Sequence, residues 1–382
     1  MARRGHRFAW ALVRASLAGV LLAPLLARAA DAMGDPGFKV VELDKKALSG
    51  PLTIARQGSF FVGGRDIQSR SLSTLPAYTP EGTITVDQMY TRYQVPASAR
   101  NNSVVLIHGC CLTGKTWETT PDGRMGWDEY FLRRGYPTYV VDQSGRGRSA
   151  VDATAINAIK TGRAKPEQLP VVFAASHESA WRIFRFGPEY PQIYEGMQFP
   201  VTAQRELWQQ MVPDWLNAMP TPNPTVPALA QLANQLKKTV LISHSQSGIF
   251  PFQTAALDTT GIAAIIAVEP GACPAADGDL KPYTGMPILV LFGDYVDLST
   301  RWAPRLKACT DFVAKTNSAG GRAELLLLPA IGIKGNSHML MQDANNIQIA
   351  DLLGSWIEQR TATKQAPAVE KSKQAPAAEK SK

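Results

Sequence analysis

The chain is poor in the residues that build metal and redox centres. Its 382 residues include only four cysteines and five histidines. No two cysteines stand in a C-x-x-C spacing, which removes the usual zinc and thioredoxin-like arrangements. No metal or organic cofactor is called for. Long apolar runs are also scarce. One, from Ala15 to Leu26, is shorter than the ~20 residues that a spanning helix needs, and no stable membrane span is expected. Excess positive charge is missing from the body of the chain as well. The net charge is +8, but residues 1–29 hold five Arg and no acid, and residues 364–382 hold five Lys against two Glu. The stretch between is close to neutral, so it offers no basic surface for nucleic acid.

What is present begins with an export signal. Arg3, Arg4 and Arg7 form a basic head, the apolar run follows, and Ala27-Arg28-Ala29 supplies small residues for cleavage. Residues 1–29 therefore read as a secretory signal peptide, with a periplasmic or secreted destination. In such a compartment an even cysteine count suggests disulfides, and Cys110, Cys111, Cys273 and Cys309 allow three full pairings. Cys110 and Cys111 are adjacent, so they close a small strained ring or pair elsewhere. At the other end, residues 362–382 repeat KQAPAVEKS as KQAPAAEKS, a Lys/Ala/Pro/Glu pattern that cannot bury a core and is expected to be disordered.

Between the ends, short apolar runs alternate with helix-like segments. Ser59–Val62 and Thr83–Val95 read as early strands. Ser103–Ile107, Thr138–Val141, Thr239–Ile242, Ile262–Val268, Pro287–Phe292 and Glu324–Leu328 read as buried ones. Trp127–Arg134, Phe250–Leu257 and Asp351–Gln359 read as helices. Continuous apolar strands with helical crossovers predict an α/β fold, a mostly parallel sheet covered on both faces over residues 30–361. In such sheets the site lies at the carboxyl ends of the strands. One region breaks the rhythm: about 151–237 has no clean strand and is rich in aromatics, among them Trp181, Phe184, Phe186, Phe199 and Trp208. It reads as a largely helical cap insertion that walls a pocket.

The sharpest motif is Ser243-His244-Ser245-Gln246-Ser247-Gly248, between an apolar strand and an apolar helix-like run. A strand-to-helix elbow of this form exposes its central Ser on a tight turn, and serines stand here where glycines usually flank it. Ser245 is the candidate nucleophile. The backbone N–H of Gln246 and that of Cys110, in the strand-ending His108-Gly109-Cys110-Cys111, are the candidate oxyanion donors. A hydroxyl needs a base. His6 falls in the signal peptide, His108 and His244 belong to the two turns, and His177 lies in the insertion. His338 remains, ten residues past the last strand, in the order the fold requires. For the acid two positions are open: Asp294, after the strand that usually carries it, and Glu269, after the strand next to the elbow. Spacing alone slightly favours Asp294.

His108-Gly109-Cys110-Cys111, the Asp142–Ser149 turn, the Ser243–Gly248 elbow and Val268-Glu269-Pro270-Gly271 occur together over roughly residues 50–360. In this combination the chain resembles a group of secreted bacterial α/β-hydrolase esterases with a Cys-Cys pair at the oxyanion side. The resemblance implies an α/β-hydrolase fold, a Ser245–Glu269–His338 triad with Asp294 as the fallback acid, a vicinal Cys110–Cys111 disulfide and a second bridge Cys273–Cys309. It implies small-molecule carboxylic esters as the substrate class without naming one. The alternatives are another bond type (thioester, lactone, amide or carbon–carbon) cleaved on the same triad, or a non-catalytic binding protein on a hydrolase scaffold; room is left for a homodimer.

Overall fold

A computed structural model describes residues 36–169, 171–215 and 223–362. The expected signal peptide and the repeat tail from residue 363 lie outside the described residues. Helix α1 (Lys45–Ser49) precedes a long hairpin of β1 (Ile54–Ser69) and β2 (Gly82–Pro96). Then come β3 (Ser103–Ile107), α2 (Trp127–Arg133) and β4 (Thr138–Asp142). The irregular region carries the short helices α3 (Thr154–Lys160), α4 (His177–Ile183) and α5 (Gln204–Gln209). After α6 (Thr225–Leu236) the alternation resumes with β5 (Thr239–His244), α7 (Phe250–Leu257), β6 (Ile262–Val268) and β7 (Pro287–Phe292). It closes with α8 (Ala303–Ser318), β8 (Arg322–Leu327) and α9 (Asn346–Thr361).

The eight strands form one sheet in the order β1-β2-β4-β3-β5-β6-β7-β8. β2 runs antiparallel to both β1 and β4, and all pairs from β4 to β8 are parallel. Strands β3, β4, β5 and β7 are buried along their whole length, as continuous apolar runs covered on both faces should be. β1 is longer than its four-residue apolar core. Gly63 and Gly64 break the pattern there, yet the strand continues through them because its edge position leaves most of it in solvent. The last helix begins at Asn346, five residues before the start expected at Asp351. Asn346 is buried, and its amide donates to the carbonyls of Met125 (2.8 Å) and Met341 (3.3 Å), so a polar residue occupies an interior helix start.

The region expected to be a cap divides in two. Thr225–Leu236 is not cap: Val226, Ala228, Leu229 and Leu232 share a core with Val105, Ile107, Val141 and Leu241 of the sheet. The cap reading therefore extends at most to the short helices before residue 216. Their aromatics do not simply wall an open pocket either. Trp181, Phe184, Phe186 and Phe199 are buried in the same cluster as Leu289 and Leu291 of β7 and Met339 and Met341 beside His338. Truncating one such ring costs roughly 3–5 kcal/mol, so this part of the insertion is welded to the body.

Candidate active site

The elbow forms where β5 meets the 3-10 turn Ser245–Ile249 that leads into α7. Ser245 has φ +58°, the left-handed backbone that a side-chain-bearing residue adopts only when its surroundings impose it. Two close approaches impose it. A side chain on Gly109 would begin 2.8 Å from Ser245 Cβ, and one on Gly248 would begin 2.5 Å from Pro270 Cβ. The glycine usual at the flank has thus moved one place along, to pack on the loop that carries Glu269. Ser247 fills the vacated position and is used there: its hydroxyl donates to the Ile107 carbonyl at 3.0 Å and accepts from the His244 N–H at 3.2 Å.

At the carboxyl ends of the strands three predicted residues meet. Ser245 Oγ lies 2.8 Å from His338 Nε2, and His338 Nδ1 lies 3.0 Å from Glu269 Oε2. A carboxylate facing Nδ1 places the ring proton there, leaving Nε2 to accept from the serine hydroxyl. Asp294 does not reach the histidine. Its carboxylate accepts from the Tyr295 and Gly335 N–H groups, both at 2.8 Å, and so organises the loop leading to His338. Gln246 follows Ser245 directly, and Cys110 follows the glycine packed against Ser245, so both predicted oxyanion residues adjoin the nucleophile.

Burial sets the protonation. His338 and Glu269 are fully buried. Desolvation pulls His338 down to about 4 against the opposing pull of Glu269, so the ring is neutral above mildly acidic pH. Desolvation alone would raise Glu269, but Arg185 and His338 overcome it and hold the carboxyl near 2. His108 is likewise brought to about 4 by burial, and it binds the turn through Gly109 O (2.9 Å) and the Gln143 N–H (3.1 Å). His244 is lowered well below its ordinary value, by burial first, and its Nε2 is 2.9 Å from the His338 carbonyl. These two histidines shape the turns rather than serve as bases.

Sequence reasoning missed three groups. Arg185, after α4, forks onto Glu269 with bonds of 2.7 and 2.6 Å. Arg146, within the Asp142–Ser149 turn, donates to the side-chain carbonyls of Gln143 (2.7 Å) and Gln246 (3.1 Å) and pairs with buried Asp214. Asp343 accepts from Ser337 N–H (2.9 Å), Ser337 hydroxyl (2.6 Å) and Asn336 amide (2.9 Å), fixing the loop just before His338. Only Arg146 lay inside a recognised motif; the others carry no spacing signal.

The cysteines divide. Cys273 and Cys309 are bonded, which agrees with the expected pairing. The expected Cys110–Cys111 bond is not formed in this structure: both are free, with sulfurs 2.6 Å apart. That is about 0.5 Å beyond a disulfide bond. The Asp214 carboxylate lies near both sulfurs. Two thiolates on one tetrahedral zinc stand about 3.8 Å apart, given Zn–S bonds of ~2.3 Å, so the pair as placed is too close to share such an ion.

No family model matches the chain. A solved structure described as the atomic-resolution structure of a novel bacterial esterase is 64% identical, with a TM-score of 0.81 over 82% of this chain and 98% of that one. The chain belongs to this esterase family. Its sheet and flanking helices are those of the α/β-hydrolase fold, and it is a carboxylic ester hydrolase. A protein named as a probable secreted lipase, phiG, from a fungal species (strain ATCC 74256) is 25% identical over 312 residues. That match covers 67% of this esterase and 82% of the fungal protein.

Proposed function

We propose that the esterase is an exported serine hydrolase that cleaves small carboxylic esters through an acyl-enzyme on Ser245. The single observation that carries this reading is the Ser245–His338–Glu269 relay with its 2.8 and 3.0 Å contacts. His338 Nε2 takes the Ser245 proton as Oγ attacks the ester carbonyl carbon. The carbonyl oxygen becomes an oxyanion beside the Gln246 and Cys110 N–H groups. As the intermediate collapses, the carbon–alkoxide bond breaks and His338 returns its proton to the leaving alcohol. Water then gives a proton to His338 and attacks the acyl carbon. Collapse frees the acid, and the proton passes back to Ser245. Glu269 stays ionised throughout and supports the transient imidazolium.

Export is supported by the leader-like residues 1–29, by the bonded Cys273–Cys309 pair and by similarity to a protein described as secreted. In an oxidising compartment the two sulfurs of Cys110 and Cys111 are near enough to close to the vicinal disulfide. Ser245→Ala is expected to abolish ester hydrolysis while leaving the folded state intact by circular dichroism. Retention of wild-type turnover in that variant would refute the serine mechanism.

A further inference from the structure

We infer that Arg185, contributed by the insertion, is a fourth member of the catalytic relay: a positioning residue that orients Glu269 toward His338 and keeps the pair competent at acidic pH. The inference rests on the serine relay proposed above and assigns a role to a residue outside it.

The first observation is where this arginine stands. Helix α4 ends in a Schellman turn: the Phe186 N–H bonds the Trp181 carbonyl at 3.1 Å and the Arg185 N–H bonds the Arg182 carbonyl at 3.3 Å. The position just past such a helix end takes left-handed backbone and is usually glycine. Here it is Arg185, at φ +57°. A long side chain held where glycine would relax the backbone points to a requirement for the side chain itself.

The second observation is what the side chain does. It is 1% exposed, and its two terminal nitrogens fork onto the two oxygens of Glu269 at 2.6 and 2.7 Å. Its Nε donates to the Asp294 carbonyl at 2.8 Å, which fixes the plane of the fork. With His338 Nδ1 at 3.0 Å and the Gly293 N–H at 2.5 Å, every lone-pair direction of the carboxylate is taken. Glu269 cannot turn away from the histidine without breaking the fork. The same segment holds the histidine loop, since the His338 N–H donates to the Phe184 carbonyl at 2.8 Å.

The charges facing His338 come from several elements. Glu269 follows β6, Arg185 follows α4, Arg305 lies on α8, His244 belongs to the elbow, Asp294 follows β7 and Asp343 lies on the loop beyond His338. Among these Arg185 touches both Glu269 and His338, its Nη1 lying 3.5 Å from His338 Nδ1. Its positive charge disfavours protonation of the ring and of the carboxylate alike. Losing it shifts both equilibria toward protonation, and both changes remove activity from the acidic side.

The test is the pH profile of kcat and KM for Arg185→Gly, Arg185→Lys and Glu269→Gln beside the wild type. Glycine suits the left-handed backbone and deletes the fork. Arg185→Gly is expected to lower kcat on the order of 10²-fold with less change in KM. Its acidic limb should move to higher pH by about one unit or more. A groove of about 450 Å³ has Arg185 in its wall, so millimolar guanidinium should enter and restore part of the rate. Arg185→Lys keeps the charge without the fork, and should lose kcat with its limb little moved. An Arg185→Gly limb that coincides with the wild type, or no response to guanidinium in folded protein, would overturn the inference. Should Arg185→Gly fail to fold, wild-type kcat in Arg185→Lys would overturn it. A fully active Glu269→Gln would defeat the relay itself and this inference with it; an inactive Glu269→Gln beside an unaltered Arg185 variant would defeat the inference alone.

Discussion

Of the residues at the site, Glu269 has the least ordinary setting. It lies after the strand adjoining the elbow and has φ +52°, and its carboxylate accepts from a histidine, a forked arginine and a backbone N–H. Asp294 stands at the position that strand counting alone preferred, yet it binds two backbone N–H groups of its own loop. The difference predicts a double contrast in ester turnover. Glu269→Gln should lose kcat by roughly 10⁴-fold, as a mis-set histidine tautomer does. Asp294→Asn should lose far less, because the amide oxygen still accepts one backbone bond. Steady-state kinetics of both proteins checks this, and a reversed order would place the acid at Asp294.

Elements position these residues through a few ties between distant parts of the chain. The Cys273–Cys309 bond joins the segment after Glu269 to α8, and just before that helix lies Trp302, whose ring is 4.1 Å from that of His338. The bond spans 36 residues, for which chain entropy gives about 4 kcal/mol. Replacing both cysteines by serine should therefore lower unfolding free energy by roughly 2–4 kcal/mol in chemical denaturation. An unchanged midpoint would contradict that role. The strands, the elbow and the histidine loop were legible in the sequence because they follow period and order: six apolar runs, a small-residue turn, and a histidine past the last strand. Arg185 and Asp343 were not legible, since a single charged residue in an aperiodic stretch gives no pattern until the fold brings its partner near. The boundary of α6 was missed for another reason. Its apolar face is no different from that of a cap helix, and only the sheet beneath it decides which it is.

At the scale of the whole molecule, buried titratable groups set the response to pH. Burial brings His108 and His338 to about 4 and holds His244 well below its ordinary value, against about 6.5 in an unfolded chain. The unfolded state therefore binds more protons than the native state between those values, and stability falls as pH drops from about 6.5 toward 4. Asp343 opposes this. Burial raises it to about 7, so its contribution falls as pH rises toward that value. Asp128 and Asp351, also raised by burial, act in the same sense as Asp343 but over a narrower range. The three histidines therefore leave a net loss on acidification, and below about 4 the depressed Glu269 adds to it. Denaturation midpoints measured from pH 7 to pH 4 should decline steadily; a flat or rising series would contradict the buried neutral histidines.

A fluorophosphonate ester followed by peptide mass mapping decides whether Ser245 is the nucleophile. One phosphonyl group per chain is expected, on Ser245, formed in step with the loss of esterase activity. A label on any other residue, or full inactivation with Ser245 unmodified, would contradict it.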